Sequence, residues 1–92
     1  MNFKIGQLVL TRGVNLLVDE NSNFATHVFQ SLRRHASCDW GDLCEEDKAA
    51  NDSALQEGGR LFSAYEKDGL PKIWIITEWD RSLTTVLFPE EY

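Results

Sequence analysis

His35, Cys38, Asp39, Asp42 and Cys44 fall within ten residues of one another. Imidazole, thiolate and carboxylate are the groups that hold transition metals, so this cluster is the first place to look for chemistry. Zinc sites bring their ligands in close pairs, such as two cysteines separated by two residues. Here His35 stands three positions before Cys38, Cys44 follows six later, and no second pair occurs elsewhere. That spacing reads more simply as a histidine at a helix end and two incidental thiols. A Cys38–Cys44 bridge would close only a short loop and stabilise little. Two cysteines are also few for a secreted, disulfide-stapled domain.

A second constellation is acidic. Asp39, Asp42, Glu78 and Asp80 would suit a hard cation such as Mg²⁺ if they converged. Nothing in the pattern brings the 38–42 loop to the strand that carries Glu78. The strand-borne lysine of a nuclease-like site is missing too, because Lys72 stands at a strand's start. Nucleophilic catalysis has no support from a G-x-S-x-G elbow, and there is no G-x-x-x-x-G-K phosphate loop. Gly58-Gly59-Arg60 follows a helix, at the wrong pole for phosphate. No catalytic, cofactor-binding or metal-ligating residue is assigned, no cofactor is expected, and the chain is read as a non-enzyme.

The elements that would position any site are legible. Residues 3–11 (FKIGQLVLT) alternate and favour a strand, with Leu8 and Leu10 on one side and Ile5 and Val9 on the other. Residues 14–20 suit a short helix. Ser22 is the preferred cap of an amphipathic helix over 23–36, where Phe24, Val28 and Leu32 recur at helical spacing. Arg33, Arg34 and His35 close it with charge of the sign its dipole favours. Gly41 permits a sharp turn in the CDWGD loop. Asp42 with Glu45 resembles a capping box for a helix over 43–57, which Gly58 ends. That helix has a thin apolar line, Leu43, Ala50 and Ala54, whose small residues would allow close packing on a sheet. Residues 60–66, 72–79 and 83–88 then read as strands of an antiparallel meander, punctuated by Asp68-Gly69-Leu70-Pro71 and Asp80-Arg81-Ser82. The expectation is a single α+β domain, 1–92. It has a three- to four-stranded antiparallel sheet, the meander plus the N-terminal strand, with two main helices packed on one face.

Charge is unevenly placed. The whole chain carries −6. Residues 39–57 hold seven acids (Asp39, Asp42, Glu45, Glu46, Asp47, Asp52 and Glu57) and one base, Lys48, which already makes −6; the remainder has eight acids and eight bases. A nucleic-acid binder would show a basic stripe, and none is visible, so direct nucleic-acid binding is not expected. MNFKIGQLVL is too short and polar for a signal peptide, and no apolar run nears the roughly 20 residues of a membrane span. A cytoplasmic protein with no membrane contact is expected. Asp39, Trp40, Asp42, Asp47, Asn51, Arg60, Asp80 and Arg81 read as structural polar residues. Asp47 and Asn51 border the Ala50–Ala54 line, and Arg60 and Arg81 are placed to pair with Asp39, Asp47 or Glu78.

The central strand, 72–79, is apolar on two faces. Ile73, Ile75, Thr77 and Trp79 share one, and Trp74, Ile76 and Glu78 the other. A chain of this size has little material to cover both. Trp74 and Ile76, with Phe88 and Tyr92 of the tail, are therefore candidates for an interaction surface, either for another protein or for a homodimer partner.

HASCDWGDL (35–43), EEDKAANDSAL (45–55), GGRLFSAYE (58–66) and KIWIITEWDRSLTTVLFPEEY (72–92) together resemble a family of small bacterial "plasmid-related" proteins. The resemblance covers about residues 35–92. Its clearest stretches are DWGDL and the WIITE-DRS-TT-L-PEEY tail, and the chain departs from it at Cys38 and Cys44. It implies carriage on a mobile genetic element and brings no activity or site residue. The functional expectation is a non-enzymatic accessory protein acting by protein–protein binding. The alternatives are an acidic DNA mimic of anti-restriction type, presenting Glu45, Glu46 and Asp52, and, third, a small metal-dependent hydrolase using Asp39, Asp42 and His35.

Overall fold

The computed structural model describes residues 3–92. In chain order the elements are β1 (Gln7–Leu10), α1 (Arg12–Glu20), α2 (Ser22–Ala36), α3 (Glu45–Glu57), β2 (Leu61–Lys67), β3 (Leu70–Thr77), β4 (Leu83–Leu87) and a 3₁₀ turn, Pro89–Glu91. The strands form one sheet in the order β1-β4-β3-β2. β2, β3 and β4 make the antiparallel meander, with β3 between its two neighbours. β1 runs parallel to β4, so the α+β sheet is mixed rather than antiparallel. Only a short hairpin forces antiparallel pairing, and none joins these two strands. β1 is also shorter than expected. Gly6 sits at φ +65° with its Cα against the backbone of Arg81 and Ser82, a place and conformation that admit no side chain.

The core lies between α1 and α2 and one sheet face. Val14, Phe24, Val28 and Leu32 meet Tyr65, Ile73, Ile75 and Val86. Trp79, expected on that face, stands in the turn after β3 and is exposed, because the strand ends at Thr77. Side chains start α1 and α2. Thr11 accepts from the Val14 N–H, and the Glu91 carboxylate takes the Thr11 hydroxyl at 2.6 Å and the Gly13 N–H at 3.2 Å. A carboxylate at a helix N-terminus has the sign the dipole favours. Asn21, rather than Ser22, caps α2 by accepting from the Phe24 N–H.

α3 does not pack on the core face as a second main helix. It runs along the outer edge of β2, and the residue it buries is Asn51. Its line of small alanines has too little apolar surface to displace α1 from the core. The edge it meets offers backbone groups instead. Asn51 accepts from the Phe62 N–H at 3.0 Å and donates to the Phe62 carbonyl. The Asp42 N–H donates to the Ala64 carbonyl at 2.7 Å, and the Asp42 carboxylate accepts from the Glu66 N–H at 2.8 Å. Asp42 is thus occupied on β2. Cys44 starts α3 without a side-chain cap, in place of the expected capping box. Gly41 makes the close approach: at φ +76° it bridges Ala64, where a Cβ would strike the Ala64 carbonyl and the Tyr65 ring.

Arg81 ties the far end of α3 to the β3–β4 turn. Among the described residues it pairs with no carboxylate, contrary to expectation. Its guanidinium donates to the carbonyls of Gly59 at 2.6 Å, Glu78 at 3.1 Å and Ala54 at 3.2 Å. A cation over the terminal carbonyls of α3 also opposes the helix dipole. Arg81→Ala is expected to cost about 2 kcal/mol, with Arg81→Lys recovering little because the planar fork is lost. Thermal unfolding of the two variants checks this; a lysine variant as stable as the parent would show that charge alone suffices.

Candidate functional site

The residues with metal-binding chemistry are dispersed or engaged. Asp39 receives Arg34 through two nitrogens, at 2.7 and 3.2 Å, and the Gly41 N–H at 3.2 Å. The Arg34 hydrogen bond is the main reason the Asp39 carboxyl is held below its ordinary range. Glu78 faces Arg60 at 3.5 Å, and Asp80 caps its own turn through Ser82. Cys38, half-buried at φ 65°, and Cys44, exposed, are free thiols. Among the described residues no three His, Cys, Asp or Glu side chains gather to hold a metal ion.

His35 is fully buried and lies inside the fold. Its Nδ1 meets the Ser63 hydroxyl and its Nε2 the Thr77 hydroxyl at 2.9 Å; Thr77 meets Thr84 at 2.7 Å, and Thr84 donates to the Ile5 carbonyl at 2.6 Å. The carbonyl at the end fixes every proton in this chain. Thr84 spends its only hydrogen on Ile5, so Thr77 must donate to Thr84. His35 must then donate from Nε2 to Thr77, which leaves Nδ1 to accept from Ser63. The imidazole is neutral, with burial the main cause and the Arg81 charge a second; its pKa is lowered from 6.5 to about 4. Phe3 and Trp40 close over the ring edge-on, at 5.2 and 5.7 Å. A serine hydrogen-bonded to a histidine resembles a nucleophile and its base, but Ser63 is itself fully buried and the group behind the ring is a hydroxyl. Among the described residues no carboxylate hydrogen-bonds the ring to stabilise an imidazolium, and the serine has no exposed surface. The arrangement is a structural tie between α2, three strands and the N-terminal segment.

The other face of the sheet is different. Register places Phe62 beside Ile76, Ala64 beside Trp74, Trp74 beside Leu87 and Ile76 beside Thr85, with Val9 next to Thr85. Paired residues share a face, so these side chains form one apolar field opposite the core. Its centre is a cleft of about 230 Å³ lined by Arg60, Phe62, Trp74, Ile76 and Tyr92. Phe62 meets Trp74 edge-on with centroids 5.1 Å apart, and Trp74 meets Tyr92 at 5.8 Å. Arg60 donates to the Tyr92 hydroxyl at 3.1 Å and lies 5.8 Å from the centre of its ring. The lining comes from β2 and β3, from Arg60 just before β2, and from the tail, none of it from the three α-helices. Ion pairs flank the field at its ends, Arg60–Glu78 at 3.5 Å and Lys72–Glu66 at 3.8 Å. An apolar centre with a charged rim is how protein interfaces are built.

The tail straddles the sheet. Tyr92 is 72% exposed beside Trp74, whereas Phe88 turns to the other side and packs 5.8 Å from Phe24 against the core. Phe88 therefore leaves the candidate surface. Phe62, unnamed by sequence reasoning, joins it; its alternation with Ser63 and Tyr65 was the available signal. Four of the seven acids of 39–57 have local partners: Asp39, Asp42, Glu45 and Asp52. Trp40 donates to Asp52 at 3.0 Å, Glu45 is 3.9 Å from Lys48, and Glu45, Glu46 and Asp47 sit in the first turn of α3 where the dipole favours them. Asp47 is exposed and fixes nothing against the sheet; that role belongs to Asn51. No helix among the described residues is long and apolar enough to cross a membrane. Comparison with protein-family models, curated proteins and solved structures gives no match to this chain.

Proposed function

We propose that the chain is a non-enzymatic accessory protein that binds another protein through the sheet face opposite its helices, with the cleft between Phe62, Trp74, Ile76 and Tyr92 as the anchor point. The observation that carries this is the cleft itself: a depression walled by half-buried Phe62 and Trp74 and exposed Tyr92, floored by buried Ile76, whose rim charges already neutralise one another. Such a site gains from an inserted apolar or aromatic side chain without leaving a charge unpaired. Asp39, Asp42, Glu45 and Asp52 are engaged by groups of the chain itself, which leaves Glu46, Asp47 and Glu57 as the acids of 39–57 free to face a partner, so the sheet face supports a binding role better than an acidic decoy does. The resemblance to plasmid-related proteins puts the partner among the proteins a mobile element meets in its host.

Trp74 is half-buried on the sheet face opposite the core, so Trp74→Ala should leave a folded domain. Tagged capture from host lysate identifies the partner. Trp74→Ala and Tyr92→Ala are then each expected to weaken its binding tenfold or more, at the scale of interface hot spots. Unchanged affinity in folded variants would move the interface elsewhere. An unfolded Trp74→Ala would make Trp74 a core residue and remove the basis of the proposal.

A further inference from the structure

The two edges of the sheet are treated in opposite ways. On β2 the outward backbone groups at Phe62, Ala64 and Glu66 are taken by Asn51, Trp40 and Asp42. On β1 they are left open. Gln7 and Thr11 donate toward β4, to Ser82 at 3.0 Å and Val86 at 3.1 Å. Alternation along the strand turns Val9 the same way and turns Leu8 and Leu10 outward. Among the described residues no group bonds to the Leu8 or Leu10 N–H or C=O. Proteins usually blunt such an edge with lysine, proline, a bulge or a cover. Gln7–Leu10 has no charge and no proline, and Leu8 is 38% exposed.

We infer that β1 pairs with β1 of a second copy, antiparallel about a two-fold axis through Val9, to make one continuous sheet. The pattern is self-complementary. With Val9 opposite its own equivalent, Leu8 lies opposite Leu10 of the second copy and Leu10 opposite its Leu8. These are two narrow pairs, about four backbone hydrogen bonds in all. Each pair sets leucine against leucine on the helix-covered side. Charge placement favours a second copy. The whole −6 of the chain lies in 39–57, the segment along β2, at the other end of the strand order. Joining through β1 sends the two acidic segments to opposite ends of eight strands. At about 4.8 Å per strand that is roughly 35 Å, far beyond a Debye length of about 8 Å at physiological salt. Joining at any surface nearer β2 would bring them together.

The contact is a short one, so its dissociation constant is expected to be on the order of 0.1 mM. Sedimentation equilibrium from about 10 µM to about 1 mM should show twice the chain mass emerging at the top of that range. Over the same range, amide exchange at Leu8 and Leu10 should slow several-fold, while Gln7 and Val9, bonded within the monomer, stay unchanged. Leu8→Pro removes an outward N–H without touching the ladder to β4, and Leu8→Lys adds an edge charge. Each should raise the dissociation constant at least tenfold while the monomer stays folded, as the unchanged exchange protection of Gln7 and Val9 would show. A chain that stays monomeric throughout, with both amides exchanging freely, overturns the inference. So does a dimer that survives both Leu8 variants, or one that Trp74→Ala abolishes, because its interface would then be the sheet face.

Discussion

Between pH 6.5 and about 4 the fold should lose on the order of 3 kcal/mol of stability through His35 alone. Above pH 6.5 the imidazole is neutral in the folded and the unfolded chain, and the site contributes no pH dependence. As pH falls below 6.5 the unfolded chain takes up a proton that the folded one refuses. Stability then drops by up to about 1.4 kcal/mol per pH unit until the folded site titrates near 4. Protonation there requires Nδ1 to become a donor. The Ser63 hydroxyl must then rotate, and an imidazolium must stand beside the Phe3 and Trp40 rings and the Arg81 charge. His27, whose pKa is lowered by burial and by Lys67, works in the same sense. The carboxyls of Asp39 and Glu91, held low by their hydrogen bonds, act only at lower pH. Urea unfolding at successive pH values measures the slope, and the chemical shift of the His35 Cε1 proton against pH assigns it. His27→Gln separates the second histidine. A His35 midpoint near 6.5 in the folded protein would mean that the hydroxyl chain does not hold the neutral ring.

Why this ring was read as a helix-end histidine is a matter of distance along the chain. Its partners lie 28 and 42 residues away, on strands whose faces sequence periodicity gives but whose register it does not. The same limit explains the other differences. Local signals placed α2, β2, β3, β4 and the Gly58 cap, because helical spacing, alternation and glycine conformation are properties of neighbouring residues. The parallel partner of β1, the carbonyl-binding role of Arg81 and the passage of Asp42 from helix cap to strand edge all depend on which elements meet. The open face was legible in outline, since Trp74 and Ile76 alternate with Ile73 and Ile75. Tyr92 is also named by the sequence; the addition of Phe62 and the loss of Phe88 to the core required the register and the path of the tail. The thin α3 is the instructive case. The thin line of Leu43, Ala50 and Ala54 points to close packing on a sheet, whereas the one side chain α3 buries is polar and serves an edge.

That side chain carries a large expected effect for a polar residue. Asn51→Ala should destabilise the protein by about 2–4 kcal/mol, lowering the unfolding midpoint by roughly 10–20 °C for a domain of this size. The amide works as a surrogate strand: one oxygen for the Phe62 N–H, one nitrogen for the Phe62 carbonyl. Truncation leaves the two backbone groups without partners beneath α3, and the cost is that of unmet buried polarity rather than of lost contact area. Asn51→Asp distinguishes this account from simple packing, because it is nearly isosteric. It keeps the acceptor for the N–H but turns a second oxygen toward the Phe62 carbonyl. It should be at least as damaging as alanine at neutral pH and should regain stability as the new carboxyl is protonated. If Asn51→Asp is tolerated at neutral pH, water rather than the amide satisfies the edge. Loss of the clasp also frees β2 to pair with other chains. Asn51→Ala is therefore expected to aggregate during unfolding at concentrations where the parent refolds, as turbidity would record. The parent keeps its short β1 edge open and its β2 edge covered, so pairing through β1 would end at two copies instead of running on into a polymer.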